Sequence, residues 1–247
     1  MSDRECPTLL LPEWEAPSTV GAFVTTRESG PSTGPFAAFN PAAHVGDDPA
    51  VVAKCRQLIS DEIGDGRPVL WLDQVHGTEV QSGWAELPRA DAAMVDDARY
   101  ACAVLTADCL PIFFCDGAGT RVAVAHAGWR GLLNGIIENT ISAMAIPADD
   151  MLVWLGPAIS NAQFEVGEEV RDAFLKAQPD AGNAFDPSPY RLRHYMGDLY
   201  KLARGRLAAL GIEKVYGGHF CTASDGRFYS YRRDGETGRM ASVIWLQ

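Results

Sequence analysis

The sequence predicts an α/β chain of the α+β kind, a single domain over 1–247 in which mixed β-sheets are covered by helices. Two observations carry this. Short runs of branched, apolar residues bounded by turn residues follow one another without an intervening helix. The helical stretches alternate with them irregularly, unlike the regular β–α repeat of a doubly wound parallel fold. Nothing resembling a linker, a fixed-period repeat or a low-complexity tract divides the chain, so one core is the simplest organisation.

In chain order, the first forty residues read as irregular structure with a short strand at Val20–Thr25. Asp47-Asp48-Pro49 is a helix start, a capping carboxylate followed by proline in the first turn, and predicts a helix over 51–63 that Gly64-Asp65-Gly66 stops. The apolar run 69–72 leads into Asp73-Gln74-Val75-His76-Gly77, with a further strand at 78–81. Residues 101–106, 111–115 and 121–125 are rich in branched residues and read as buried strands. Gly128-Trp129-Arg130-Gly131 breaks the third, and 132–145 carries helical spacing. A buried strand at 151–155 ends at Gly156-Pro157; 164–177 and 198–210 read as amphipathic helices, the second closed by Gly211. Strands at 214–216, 227–231 and 241–246 complete the pattern.

Composition narrows the function. The net charge of −11 repels a polyanion and disfavours nucleic acid, although a few arginines can still hold a small anion. No apolar run reaches membrane-spanning length, and Met1-Ser2-Asp3-Arg4-Glu5-Cys6-Pro7 lacks the basic start and apolar run of a signal peptide. The expectation is a cytoplasmic protein with no membrane partner, a monomer or weak dimer. Six cysteines without a compact framework predict reduced thiols, at least one of them chemically occupied.

Of five histidines, His76 and His126 follow apolar runs and adjoin a glycine-containing turn, and Cys109 sits in the turn between two buried strands. Adjacent strands ending at one sheet edge would bring the three together. Histidine and thiolate are the ligands zinc prefers, and three protein ligands leave a fourth position for water or substrate. Spacing alone leaves two readings open: a metal site, or two hydrogen-bonded histidines and a buried thiol. Likewise Arg130 reads either as an anion ligand at a helix start or as part of a tight turn with Trp129 in the core. The arginines of Ser230-Tyr231-Arg232-Arg233-Asp234 and Thr237-Gly238-Arg239 read as loop ties to carboxylates and carbonyls. Arg27, His44 and Asp91 are polar residues beside short apolar runs that the sequence does not place.

Five ordered motifs together resemble the YfiH/PgeF family, also called laccase-domain or polyphenol-oxidase-like proteins. They are Trp71-Leu72-Asp73-Gln74-Val75-His76-Gly77, Leu105-Thr106-Ala107-Asp108-Cys109-Leu110-Pro111, Ala125-His126-Ala127-Gly128-Trp129-Arg130-Gly131, Trp154-Leu155-Gly156-Pro157-Ala158-Ile159 and Ser230-Tyr231-Arg232-Arg233-Asp234. The stretch from Asn40 to Asp47 fits a sixth pattern, whereas Thr26-Arg27-Glu28-Ser29-Gly30 departs from the family's Thr-Arg-x-Gly-Gly. The resemblance implies a layered α/β/β/α sandwich and a zinc ion on His76, Cys109 and His126, with copper as the lesser alternative. It implies purine nucleoside phosphorylase chemistry: adenosine, inosine or methylthioadenosine plus phosphate give base and ribose 1-phosphate. Hydrolytic deamination of adenosine would accompany it. Small-molecule nucleoside and phosphate are the expected partners, Arg130 the expected phosphate ligand, and Asp108 and Asp91 the expected proton handlers or supports of the histidines. The alternatives are a Cys/zinc hydrolase that edits peptidoglycan precursors and a copper-dependent polyphenol oxidase.

Overall fold

The structure, a computed structural model, describes residues 6–247. The first five residues of the stretch that argued against a leader lie outside the described residues. From the N-terminus come β1 (Leu9–Leu10), β2 (Val20–Thr25), α1 (Pro49–Ile63), β3 (Val69–Leu70), β4 (Val80–Ser82), β5 (Ala92–Val95), β6 (Ala101–Thr106), β7 (Leu110–Asp116) and β8 (Val122–Ala127). Then follow α2 (Trp129–Asn134), α3 (Ile136–Met144), β9 (Met151–Leu155), β10 (Glu165–Gly167), α4 (Glu168–Ala177), β11 (Phe185–Pro187) and β12 (His194–Gly197). The chain ends with α5 (Leu199–Ala209), β13 (Val215–Gly217), α6 (Tyr231–Asp234) and β14 (Met240–Leu246).

Two large sheets are stacked. One runs β1-β2-β14-β6-β3, the other β13-β9-β7-β8-β5-β4, and a small sheet β10-β12-β11 lies to one side. The period-two alternation of strand side chains explains the layering. In β7, Phe113 and Cys115 face the other large sheet, while Ile112 and Phe114 face the helices. In β6, Cys102 and Val104 point into the same inter-sheet layer, and Ala101, Ala103 and Leu105 point outward onto Leu58 and Ile59 of α1. Helices α2 to α5 cover the far face of the six-stranded sheet through Leu132, Ile137, Phe174 and Leu202. The order is therefore α/β/β/α, mixed in strand direction. Both faces of the central strands are buried, which is why they read as unbroken apolar runs without alternation.

Asp48 caps α1 by accepting the Ala50 N–H, with Pro49 at the first position, as the sequence predicts. Three expectations change. The helix expected over 132–145 is two, because Gly135 adopts φ 99 and ends α2 before α3 begins. Residues 164–177 begin as the edge strand β10 and turn helical only at Glu168. Residues 227–231 form no strand: Ser230 accepts the Arg233 N–H and starts the short α6, while Tyr229 is buried in the inter-sheet layer. The Ala-rich β5 carries too little branched character to register as a strand, yet it occupies an inner position beside β8. All six cysteines are free thiols. No helix among the described residues is long and apolar enough to cross a membrane.

Candidate metal centre

The site forms where the chain crosses from one large sheet to the other. β6 ends at Thr106, the turn 107–109 spans the sandwich edge, and β7 begins at Leu110. Asp108 takes φ 84, a left-handed conformation that aspartate tolerates better than most residues and that tightens the turn. β7 pairs antiparallel with β8, with Pro111 opposite His126 and Leu110 opposite Ala127. Cys109 thus arrives one residue before the pairing begins, beside the end of β8. His126 follows Val122 and Val124 at period two and points to the inter-sheet side, at the mouth of that layer.

His76 comes from the loop between β3 and β4 and is pinned by side chains. The Gln74 amide accepts the Leu105 N–H at 2.7 Å and donates to the Leu105 carbonyl at 2.9 Å, extending the β6 edge with a side chain where no strand lies. Beyond it His76 takes φ 59. Its N–H donates to Asp91 Oδ1 at 2.9 Å, and the Val75 and Gly77 N–H groups donate to Asp91 Oδ2 at 3.2 and 2.6 Å. Asp91 is fully buried just before β5 and also receives His126 Nδ1 at 2.8 Å. A single carboxylate therefore sets the backbone of one histidine and the ring of the other. With Nδ1 engaged, His126 presents Nε2 to the site.

The donor atoms of His76, Cys109 and His126 all lie within 4.8 Å of one another. Cys109 Sγ is 4.0 Å from His76 Nε2, and the two imidazoles meet edge-on at 4.7 Å between centroids. Burial alone would raise the Cys109 thiol. The charges of His126 and His76 and their hydrogen bonds outweigh it and bring the thiol down to about 6. Burial disfavours a charged His126, but Cys109 and Asp91 beside it push it up to about 9. Burial also works against the Asp91 charge, and the His126 and backbone hydrogen bonds still hold that carboxyl below the usual range. An easily ionised thiol and two oriented imidazoles fit a borderline-soft divalent ion of the zinc kind. Gly128 makes room for this closeness: a Cβ there would stand 3.0 Å from Cys109 Sγ and 3.3 Å from His76 Cδ2.

The three donors line a cavity of about 520 Å³ together with Gln74, Trp129, Phe164 and Leu199. Arg130, expected here, lines it too; its exposed guanidinium lies 4.4 Å above the Trp129 ring and has no hydrogen bond or ion pair among the described residues. The helix behind it is only Trp129–Asn134, so its dipole is that of less than two turns. Among the described residues Asp108 is the one carboxylate lining the cavity; it accepts the Thr222 hydroxyl at 2.6 Å and the Arg232 N–H at 2.7 Å. His44 and Arg239 are in the wall, residues the sequence left unplaced or assigned to loop structure. Arg27 is not among the lining residues: it stacks on Tyr229 and pairs with Asp234. Arg233 is a loop tie, as expected, to the Thr222 and Phe228 carbonyls.

The chain is similar to known proteins over nearly its whole length. The profile of the family described as multi-copper polyphenol oxidoreductase laccase matches residues 21–247. A Pseudomonas aeruginosa protein named purine nucleoside phosphorylase is 52% identical over 240 residues, which are 96% of this chain and 98% of its own. Escherichia coli purine nucleoside phosphorylase YfiH is 46% identical over 246 residues, again 96% and 98% of the two chains. The crystal structure of a Neisseria meningitidis protein matches with a TM-score of 0.92 at 47% identity, covering 97% of this chain and 99% of that one. Bacillus licheniformis YfiH matches at 0.89 with 28% identity, over 98% and 97%.

Proposed function

The chain belongs to the family described as multi-copper polyphenol oxidoreductase laccase, and we propose that within it this protein is a zinc-dependent purine nucleoside phosphorylase with adenosine deaminase activity. The observation that carries the reading is the convergence of His76, Cys109 and His126 on a cavity whose wall also bears Arg130, a cation stacked on Trp129 with no hydrogen bond or ion pair among the described residues. The printed names of relatives at 52% and 46% identity support the same chemistry. A multicopper oxidase centre needs many imidazoles, and this chain has five histidines, two of them in the cluster.

Zinc, when bound, supplies Lewis-acid polarisation of a substrate or phosphate oxygen. The chain's own groups do the rest. Asp91 aims the His126 ring and fixes the backbone that presents His76, so the donor set is preorganised and costs little reorganisation during the reaction. Arg130 draws phosphate and orients it. In phosphorolysis the bond from C1′ to the purine nitrogen breaks, its electron pair leaves with the base, and a phosphate oxygen bonds to C1′. The proton that the departing purine requires comes from the attacking hydrogen phosphate, and Asp108, the one carboxylate lining the cavity among the described residues, is assigned its relay. With water in place of phosphate, the same cleft takes adenosine at C6: the C–N bond breaks, a C–O bond forms and ammonia leaves.

Inosine and phosphate incubated with zinc-loaded enzyme should release hypoxanthine, and His76→Ala should abolish the release. A zinc-loaded wild type that releases none would overturn the phosphorylase reading. One observation favours a second reading: the Cys109 thiol, brought down to about 6 between two histidines, is the arrangement of a cysteine hydrolase. Zinc then decides between them, because a ligand thiolate is shielded by the metal whereas a nucleophile needs none.

A further inference from the structure

Among the described residues three arginines line the cavity, and one of them, Arg239, is held in place with its binding edge free. Arg232 commits both terminal nitrogens to the chain, donating Nη1 to the Gln163 carbonyl at 2.9 Å and Nη2 to the Glu165 carbonyl at 3.3 Å. Arg130 is exposed and held only by stacking on its neighbour Trp129. Arg239 differs from both. Its Nη1 donates to the Thr237 and Gly238 carbonyls at 2.8 and 3.0 Å, which anchors the guanidinium to its own loop just before β14. No carboxylate pairs with it among the described residues, and its Nε and Nη2 donate to no protein group there. Neither atom is sealed in protein as the unpaired Nε of Arg206 is, and the residue that carries them lines the cavity.

The Nε–Nη2 edge of a guanidinium matches two oxygens of a phosphate or carboxylate. Burial around Arg239 works against its charge and outweighs the favourable fields of Cys109, Asp108 and Tyr231, and with no carboxylate paired to it a bound anion would offset that cost. His44 lies in the same wall and feels the Arg239 charge. In a chain of net charge −11, a cavity lined among the described residues by three arginines against one already hydrogen-bonded carboxylate and the Cys109 thiolate is a local reversal of sign.

We propose that Arg239, with His44 beside it, is the fixed half of a phosphate subsite, and that Arg130 is the mobile half that closes on the same anion. This rests on the phosphorylase reading for its purpose but not for its test. Phosphate affinity is measured twice on zinc-loaded enzyme: as the phosphate KM in inosine phosphorolysis, and by calorimetry with inorganic phosphate and no nucleoside. Arg239→Gln should weaken both by about tenfold or more, the size of one lost charge-assisted hydrogen bond, while the inosine KM moves less than about twofold. His44→Gln should give a smaller loss in the same direction. Arg239→Lys should recover only part, since it restores the charge without the fork. Should Arg239→Gln fail to fold, the lysine and His44 variants still decide the question.

Unchanged phosphate affinity in the Arg239 and His44 variants would overturn the proposal, as would a wild type that binds no phosphate. A wild type that binds phosphate through Arg239 yet releases no hypoxanthine leaves the subsite standing and removes the phosphorylase reading instead. Inosine 5′-monophosphate separates the two sources of a phosphoryl group. If Arg239→Gln weakens the nucleotide alone and spares inorganic phosphate, the subsite belongs to a nucleotide's own phosphate and the assignment falls.

Discussion

Asp91 Oδ1 lies 2.8 Å from Nδ1 of His126 and accepts the His76 N–H at 2.9 Å, so two residues fifty apart in sequence share one buried carboxylate oxygen. The hydrogen bonds to this oxygen set both the histidine tautomer and the loop that presents the other ring.

Asp91→Asn keeps the shape but loses the charge and can donate where only acceptance is wanted. Zinc affinity, read by competition with a chromophoric chelator, should fall about 10–100-fold, the usual effect of removing such a support. An unchanged affinity would show that the histidines hold their geometry without Asp91.

The Cys109 thiol should react as a thiolate well below the ordinary range when zinc is absent. With its pKa at about 6, alkylation by iodoacetamide should be near its plateau at neutral pH and fall only as pH drops through about 6. Zinc should suppress the reaction. A metal-free reaction that still climbs through pH 8 to 9 would contradict the pairing with His126.

The same pair makes a prediction for stability. Cys109, lowered from 9.0 to about 6, contributes stability that is present above pH 9 and lost as pH falls through about 6. His126, raised from 6.5 to about 9, contributes stability present below 6.5 and lost as pH rises through about 9. Between these limits the two slopes are opposite, because the thiol's proton has in effect moved to the imidazole. The melting temperature of zinc-free protein should therefore be nearly flat from about pH 6.5 to 9, and a steep rise or fall inside that window would contradict the pairing of Cys109 with His126.

Gly128→Ala tests the close approach without straining the backbone, since Gly128 sits at φ −66 and ψ 166, where alanine is comfortable. Its Cβ would press on Cys109 Sγ and the His76 ring. Metal binding and turnover should suffer while far-UV circular dichroism stays native. A variant with full zinc occupancy and activity would show that the site yields easily.

Gln74→Ala removes the side chain that satisfies both backbone groups of Leu105. The expected loss is about 1–3 kcal/mol in urea unfolding, because both orphaned groups are only part-buried. His76 should be mispositioned as well, so activity should drop at temperatures where the variant remains folded.

The long buried strands were legible because both faces are covered: 101–106 and 151–155 read as unbroken branched runs and are β6 and β9. The helix start at Asp48-Pro49 was legible for a local reason, a carboxylate reaching a backbone N–H two residues on. β5 and the strand pairs 165–167, 185–187 and 194–197 were not, since three- and four-residue strands carry no period and exist only through partners distant in sequence. The strand expected at 227–231 failed for the complementary reason: Tyr229 is apolar because it fills the inter-sheet layer, and no strand pairs with it.

Residue type and order were enough for the fold class, the family and the three metal donors as a candidate set, because they are local quantities and the motifs preserve them. It could name Asp91, His44 and Arg239 but not place them. Which carboxylate aims the histidines, and which arginine keeps a free edge, depends on groups from six separate segments meeting at one edge of a two-sheet sandwich. Only the tertiary structure decided that, because a guanidinium's use is set by which carbonyls have already engaged it.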